Sequence, residues 1–324
     1  MRTEGAFDVA MLDRSRSFLS QLGPAPSFGS GLLGGGAHTP NIFFVDGNNG
    51  VDTADGQDPR HPLATIVEAL TRVVSGRGDA IFAMPATYAE NVVVSQLDYV
   101  TLVGVLSGYG RPDIIPSTGL PLLVDRSQGF RALSCRFACD GQDSDVVRQE
   151  GNGFLYEDCV FDGASGMGAT KGLVRLWCDA DDDSYTASEG VIRRSLFRGS
   201  PGKGIVLDTQ HAAVGVQPTD NLFEDLRFYD GVGEDIFLAA TAVAANGLHR
   251  TLFKGCLIGG GTAKNKATHV DIQTNKVGTP DTEFIGCFIN DDTINTTAVK
   301  AAGVGASFIG CYSLDGVVDG DLLD

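Results

Sequence analysis

A six-residue motif that recurs along the chain constrains its fold more than any other feature. The three closest copies begin at Phe253, Phe284 and Phe308 and read FKGCLI, FIGCFI and FIGCYS. Looser copies upstream read ALSCRF, YEDCVF, IRRSLF and FEDLRF. The fourth positions are Cys135, Cys159, Ser195, Leu226, Cys256, Cys287 and Cys311, at steps of 24, 36, 31, 30, 31 and 24 residues. An irregular period in this range predicts a solenoid that adds one coil per repeat.

Each copy of the motif has the alternation of a short strand with one buried face. Cys256 and Ile258 share a face, as do Cys287 and Ile289, because side chains alternate along a strand. We expect this face to point inward, so that stacked coils place cysteine above cysteine and phenylalanine above phenylalanine at about 4.8 Å. Columns of small and of bulky residues would then interdigitate at the density of a protein interior.

A second short strand precedes most copies of the motif, and a turn follows each copy. The candidate strands are Val146-Val147, Leu173–Leu176, Ile205–Leu207, Ile236–Leu238 and Val270–Ile272. The candidate turns, where Gly and Asp accept positive φ, are Asp140-Gly141, Asp162-Gly163, Arg198-Gly199, Asp230-Gly231, Gly259-Gly260 and Asp315-Gly316. Two or three parallel strands per coil predict an all-β protein, a right-handed parallel β-helix. A β-propeller needs four strands in each blade of about 40–45 residues, which steps of 24 residues cannot hold.

Composition excludes several classes of partner. With 41 acidic and 24 basic residues the formal net charge is −17, which argues against nucleic acid and against anionic membrane surfaces. The seven cysteines show no paired pattern and no Cys-x-x-Cys spacing, so we expect free buried thiols in a reducing cytoplasm. The sequence has no hydrophobic secretory run and no apolar stretch near the ~20 residues of a membrane span. We therefore expect no membrane insertion, and a protein kept inside a cell or released by lysis.

The chain divides by composition at residue 40. Residues 1–22 have the pattern of a short amphipathic helix, and residues 23–40 form a linker rich in Gly, Pro and Ser. The repeat-bearing body is expected to span residues 41–324 as one β-helix domain. Near its start, the spacing of apolar residues from Ile66 to Val74 predicts a helix that covers the strand edges at the open end of the solenoid.

The start of this body also resembles a known family. After a first strand come the segments VDGNNGVD at 45–52, PLATI at 62–66, a helix, and PATYAE at 85–90. This order resembles the opening of pectate-lyase-like right-handed β-helix proteins, and the resemblance extends over roughly residues 41–315. That superfamily includes carbohydrate lyases, esterases and many bacteriophage tailspikes and virion proteins. The resemblance implies the fold, and it carries over no catalytic motif; Ala86 stands where members often have Gly after the Pro.

No catalytic or cofactor-binding residue is predicted. Asp158 and Asp225 occupy equivalent motif positions, with Arg193 and Arg194 on the coil between them. Glycosidases use paired carboxylates of this kind. On a chain with 41 acidic residues such neighbours arise by chance, and we interpret them as solvated surface residues.

No metal site and no nucleophile motif is predicted either. The run Asp179–Asp183 imitates the first half of a calcium loop, but Ser184 and Gly190 stand where that loop needs Gly and Glu. A solvated acidic loop is favoured. The five histidines fit no arrangement around a Ser or Cys nucleophile, and Trp177, the only tryptophan, is interpreted as a core or subunit-contact aromatic.

Together these features favour a structural protein of a bacteriophage particle, of the tailspike or decoration type among the relatives it resembles. We expect residues 1–40 to dock on other virion proteins of the capsid or tail, and the β-helix to project outward as a homotrimer. Host-surface polysaccharide is a further expected partner. The alternative is a polysaccharide-degrading tailspike, lyase or hydrolase that acts on host surface glycans. A third hypothesis is a bacterial β-helix adhesin.

Overall fold

The computed structural model describes residues 40–321, with gaps at 109, 120, 140, 142, 179–185, 200–201, 209–217, 240–249, 261–268, 273–281, 290–298, 302–305 and 314–315. The described residues from Asn41 onward belong to one unit. The predicted N-terminal helix and almost all of the linker lie outside the described residues. So do the acidic run Asp179–Asp183 and the histidines His38, His211 and His249.

Short strands form three stacks, and the chain visits the stacks in turn, once per coil. The first stack contains β1 (Ile42–Val45), β2 (Ala80–Ala83), β5 (Thr101–Gly104), β8 (Arg131–Leu133), β11 (Leu155–Glu157), β14 (Val191–Arg193), β17 (Leu222–Glu224), β20 (Thr251–Lys254), β23 (Thr282–Ile285) and β26 (Ala306–Ser313). The second stack contains β3 (Thr87–Ala89), β6 (Asp113–Ile115), β9 (Arg136–Ala138), β12 (Val160–Asp162), β15 (Leu196–Arg198), β18 (Arg227–Tyr229), β21 (Leu257–Gly260), β24 (Phe288–Ile289) and the end of β26.

The third stack holds the strands that precede the motif, as predicted. It contains β4 (Val92–Ser95), β7 (Leu123–Arg126), β10 (Val147–Gln149), β13 (Gly172–Trp177), β16 (Lys203–Asp208), β19 (Ile236–Leu238), β22 (Val270–Ile272) and β25 (Val299–Ala301). Neighbouring strands within all three stacks pair in parallel. A final strand, β27 (Gly316–Asp321), pairs antiparallel with β26.

The motif itself is not one strand, which corrects the sequence-based interpretation. Its third residue has a left-handed backbone and turns the chain from the first stack into the second. These residues are Ser134, Asp158, Arg194, Asp225, Gly255, Gly286 and Gly310, with φ between 50° and 64°. In a straight strand Phe253 and Cys256, three residues apart, would face opposite sides. The corner at Gly255 lets both side chains point inward, and both are buried.

The turns predicted after the motif are present in part: Asp162 and Gly259-Gly260 belong to strands β12 and β21, and Gly163 has no positive φ. Gly141, Gly199, Asp230 and Gly259 all have positive φ. Asp140 and Asp315 lie outside the described residues.

The fourth motif positions form one inward column, as predicted. All five of its cysteines are free and buried. Each thiol from the second onward donates to a carbonyl oxygen of the preceding coil; Cys287 Sγ, for example, lies 3.5 Å from the oxygen of Phe253. Burial raises the pKa of Cys159 to about 12, so this thiol stays protonated and unreactive at neutral pH.

Aromatic ladders fill the rest of the interior. Rings of the first stack are nearly parallel and 4.5, 4.7 and 4.6 Å apart at their centroids along the series Phe223, Phe253, Phe284 and Phe308. A second ladder runs through Phe137, Phe161, Phe197 and Phe228 of the second stack. These rings are buried and in register, and they hold successive coils at one spacing.

A single described helix, α1 (Ile66–Arg72), packs on β1, β2 and β4 at the start of the solenoid. Thr65 is its N-cap, accepting from the Glu68 amide, and Ile66, Ala69 and Leu70 are its buried residues. The carboxylate of Glu90, distant in sequence, accepts from the amides of Ile66 and Val67 at 3.0 and 2.8 Å. The predicted capping helix is therefore present and is tied to the first coils at its N-terminus.

The side chain of Asp125 points into the solenoid. Asp125 of β7 is fully buried, and it accepts from Ser127 Oγ and from Gln149 Nε2, both at 2.6 Å. Gln149 in turn accepts from the hydroxyl of Tyr156 at 2.7 Å. Burial is the main cause that raises the pKa of Asp125, to about 6.

We expect Asp125→Asn to flatten the dependence of stability on pH. The pKa of Asp125 is higher in the folded state than the unfolded value of 3.8. Ionisation of Asp125 therefore leaves the free energy of unfolding unchanged below pH 4 and lowers it progressively up to about pH 6. At pH 7 the cost is about 3 kcal/mol. Urea unfolding at pH 4.5 and 7 should therefore show a smaller loss of stability for the variant than for the wild type. The exposed Asp55→Asn is the control, and equal losses for Asp125→Asn and the wild type would refute the prediction.

Candidate functional site

Charged and aromatic side chains from several coils lie together on the outward face of the third stack. Strand alternation points Val147, Val174, Ile205, Ile236 and Val270 inward, where all are buried. Their next neighbours along the strands are in register on the outside: Arg148, Arg175, Val206, Phe237 and Asp271. These residues line a groove with Asp145, Trp177, Lys203 and Asp208 among its other members.

Arg175 occupies the floor of this groove. Its Nε lies 3.0 Å from both carboxylate oxygens of Asp145, and its Nη1 lies 2.6 Å from Asp208 Oδ2. Its Nη2 donates to the carbonyl of Thr170 at 2.6 Å. All three charged side chains are buried although they stand on the outside of the strands. One guanidinium therefore compensates two carboxylates from different coils.

Aromatic rings and further cations form the sides of the groove. The guanidinium carbons of Arg148 and Arg175 lie 5.4 and 5.9 Å from the centre of the Trp177 ring. Lys203 Nζ lies 3.5 Å from the centre of the Phe237 ring and 2.6 Å from Glu234 Oε2. Trp177 does not lie in the core; it is partly exposed in this groove.

This arrangement suits binding through rings and hydrogen bonds. Ligand sites combine apolar and aromatic walls with a few fixed polar groups. Here Trp177 and Phe237 supply the rings, and Arg148 and Lys203 supply donors. Asp145 and Asp208 are held by Arg175, so the geometry gives them a supporting role beneath the rings rather than that of a free acid and base.

The carboxylates considered from the sequence lie elsewhere, at the corner between the first and second stacks. Asp158 and Asp225 are two coils apart, which corresponds to about 10 Å. Arg194 stands on the coil between them and forms ion pairs with Glu157 and with Asp158, the latter at 3.1 Å. Arg194 and Asp158 are each about half exposed. They form a surface ion pair, and Arg194 and Asp225 also line a second, shallow groove of about 800 Å³ along this corner.

The described histidines differ in environment. His61 is exposed, whereas His269 is buried with its Nδ1 2.9 Å from Asp235 Oδ2. Within the described part of the chain, no group of three or more His, Cys, Asp or Glu side chains has the geometry to hold a metal ion. None of the described helical residues forms a segment long and apolar enough to cross a bilayer.

Comparisons with known proteins give matches by structure. No protein-family model matches the sequence, and no curated protein matches it either. The pectin methylesterase from Aspergillus niger has a TM-score of 0.53 at 11% identity, over 86% of this chain and 87% of that chain. Pectin methylesterase PemA from Erwinia chrysanthemi has a TM-score of 0.51 at 12% identity, over 87% of this chain and 92% of that chain. Geobacillus virus E2 ORF18 has a TM-score of 0.51 at 12% identity, over 97% of this chain and 56% of that chain.

TM-scores of 0.51 to 0.53 indicate a common architecture, and identities of 11 to 12% leave the chemistry open. In this chain the architecture consists of three stacks of parallel strands. The fold class expected from the sequence is confirmed. This chain has the right-handed parallel β-helix fold that these solved structures share.

Proposed function

We propose that this protein is a structural component of a bacteriophage particle that attaches to host-surface glycan through the groove of the third stack. Residues 1–40 dock on other virion proteins, and the β-helix projects from the particle as a homotrimer. The observation that carries the proposal is the similarity to Geobacillus virus E2 ORF18, which extends over 97% of this chain.

The groove supports the attachment role. Trp177 and Phe237 present ring surface on the outside of a solenoid whose other large aromatics are mostly interior. Arg148 and Lys203 lie beside these rings, and they place hydrogen-bond donors where hydroxyl and carboxylate groups of a saccharide would approach. The buried ion pairs of Arg175 fix the floor. A preformed surface of this kind binds at a low entropic cost.

Particle assembly tests the docking role. A protein that lacks residues 1–40 should fold and unfold like the full chain but fail to join particles when it is expressed during infection. The measurement is its abundance in purified particles. Normal incorporation of the truncated protein would overturn the role of the arm.

Trp177→Ala should weaken binding of the full-length protein to host cells or to purified capsule by at least tenfold, about 1.4 kcal/mol. The ring contributes contact area that alanine cannot replace. Co-sedimentation with host cells measures the loss. Tyr229→Ala removes a similarly sized exposed ring from the second stack and is the matched control. Equal binding by both variants would contradict the role of the groove.

A polysaccharide-degrading enzyme is the second candidate. It is favoured by a fold that solved structures of two pectin methylesterases share, and by Asp271, a carboxylate of the groove outside the ion pairs of Arg175. Incubation of the purified protein with host capsule or lipopolysaccharide separates the two functions. Unchanged chain lengths support attachment alone, whereas shortened chains that Asp271→Asn no longer produces would establish the enzyme.

A further inference from the structure

Arg148 differs from Arg175 and Lys203 of the same groove because no hydrogen bond holds its guanidinium. Among the described residues its one ion-pair contact joins Nη2 to Asp145 Oδ2 at 3.7 Å, which is beyond hydrogen-bond distance. Its Nε is buried and has no hydrogen-bond partner. A guanidinium has five N–H donors, so Arg148 keeps its full capacity to donate in the free protein.

The carboxylate of Asp145 is engaged by other groups. The Nε of Arg175 lies 3.0 Å from both of its oxygens, and the amide of Gly172 donates to Oδ1 at 2.8 Å. Arg148 and Arg175 are neighbours in register on the outward face, so both guanidinium groups compete for this acceptor. Arg175 is the closer of the two, and Arg148 is therefore left without a carboxylate of its own.

The guanidinium of Arg148 lies instead over the ring of Trp177. The distance from its central carbon to the ring centre is 5.4 Å, within the range of a cation–π contact. The guanidinium of Arg175 also lies over this ring, at 5.9 Å. The side chain of Arg148 is 32% exposed, however, against 10% for Arg175. Arg148 can thus rotate away from the ring without breaking a hydrogen bond, whereas Arg175 cannot.

The cation over the second ring of the groove is held more firmly. Lys203 Nζ lies 3.5 Å from the centre of the Phe237 ring, and it is also 2.6 Å from Glu234 Oε2. Moving this ammonium would break an ion pair whose cation is 12% exposed. A cation that can leave its ring at little cost is therefore found at Trp177 and not at Phe237.

We propose that Arg148 covers the Trp177 ring in the free protein and gives up this place to a saccharide when the groove binds glycan. This inference rests on the proposed attachment to glycan. A sugar ring packs its C–H face on an aromatic ring, and the oxygens at its edge accept hydrogen bonds from the displaced guanidinium. Arg148 then selects saccharides over purely apolar ligands, because only a ligand with oxygen acceptors replaces the contact that is lost.

The cover has opposite effects on the two rate constants of binding. A cation–π contact at a partly exposed site favours the covered state by about two- to fivefold. Side chains change rotamer far faster than a protein meets its ligand, so only the uncovered fraction associates, and association slows by about three- to sixfold. Once the saccharide is bound, the charge-assisted hydrogen bonds of Arg148 slow its dissociation.

Trp177 is the only tryptophan of the chain, so tryptophan fluorescence reports on this one ring. In the full-length protein without glycan, acrylamide should quench the emission about twofold more strongly in Arg148→Gln than in the wild type. Glutamine keeps a polar side chain but has no charge to place on the ring. Arg198→Gln is the matched control, because Arg198 is an exposed arginine on the second stack, and it should be quenched like the wild type. Equal quenching of Arg148→Gln and the wild type overturns the proposal.

Stopped-flow fluorescence with purified host capsule measures the two rate constants. High salt screens the long-range attraction that the loss of one cation would alter. Arg148→Gln should associate about three- to sixfold faster than the wild type. It should also dissociate faster, by about tenfold or more, so that its affinity falls although its association quickens. Slower association, or unchanged dissociation, overturns the exchange, because a side chain that only shapes the groove would have those effects.

The two measurements separate this inference from the proposed function. A folded wild type that binds no capsule overturns the proposed attachment and the exchange with it, whatever the acrylamide result. A wild type that binds capsule, while acrylamide quenches it and Arg148→Gln equally, overturns the cover alone. Circular dichroism establishes that each variant is folded.

Discussion

Replacing Arg175 with methionine should lower the free energy of unfolding by about 3–5 kcal/mol at pH 7. Arg175 is the cation that contacts both Asp145 and Asp208, at 3.0 and 2.6 Å, and all three side chains are buried. Methionine keeps most of the apolar stem but removes the guanidinium that lies between the two buried carboxylates, while Asp145 keeps a longer contact with Arg148, at 3.7 Å. Burying such charges without this cation costs more than the pair contributes when it is intact. Urea-induced unfolding monitored by circular dichroism measures the change.

Two further variants test whether the loss of stability comes from the buried charges or from the loss of any arginine. The triple variant Arg175→Met/Asp145→Asn/Asp208→Asn removes the charges together and should recover most of the lost stability. Arg194→Met removes an arginine that is itself half exposed, as is its partner Asp158, and it should cost about 1 kcal/mol or less. If Arg175→Met matches Arg194→Met, the groove floor is not a buried ion network in solution.

Phe253→Ala should cost a similar amount, about 3–5 kcal/mol. Its ring is fully buried and lies between those of Phe223 and Phe284, at 4.5 and 4.7 Å. Truncation leaves a cavity in the middle of the ladder, and the rigid spacing of the coils prevents the neighbours from filling it.

The size of this effect can be resolved with two comparisons. Phe253→Leu keeps most of the volume and should cost about 1–2 kcal/mol. Phe237→Ala truncates the same residue type on the outward face of the third stack, where it should cost about 1 kcal/mol or less. The measurement is again the urea unfolding midpoint. Equal costs at Phe253 and Phe237 would show that the interior ladder does not hold the coils together.

The architecture could be predicted because an inward column needs the same kind of residue once per coil. The cysteines at 24 to 36-residue steps, the phenylalanine column and the strands of the third stack were all placed correctly from this periodicity. The capping helix followed from apolar spacing near Ile66. The corner inside the motif was not predicted, because the backbone at Arg194 and Ser134 is left-handed and neither residue type indicates that conformation.

The groove of the third stack could not be predicted, because its residues lie on different coils and on the outside of the strands. Asp145, Arg175 and Asp208 are separated by about thirty residues at each step, and outward positions have no packing rule that fixes their residue type. Asp158 and Asp225 were considered as candidate carboxylates only because they occupy equivalent positions of the motif. Tertiary structure places them two coils apart with Arg194 between.

The sequence by itself determined the β-helix and its inward columns, because burial of apolar side chains repeats once per coil and is visible as a period in the sequence. Only the tertiary structure decided where the chain turns, which charges compensate one another and which rings face outward. Those features depend on contacts between neighbouring coils, and such contacts join residues whose separation in sequence varies with every loop.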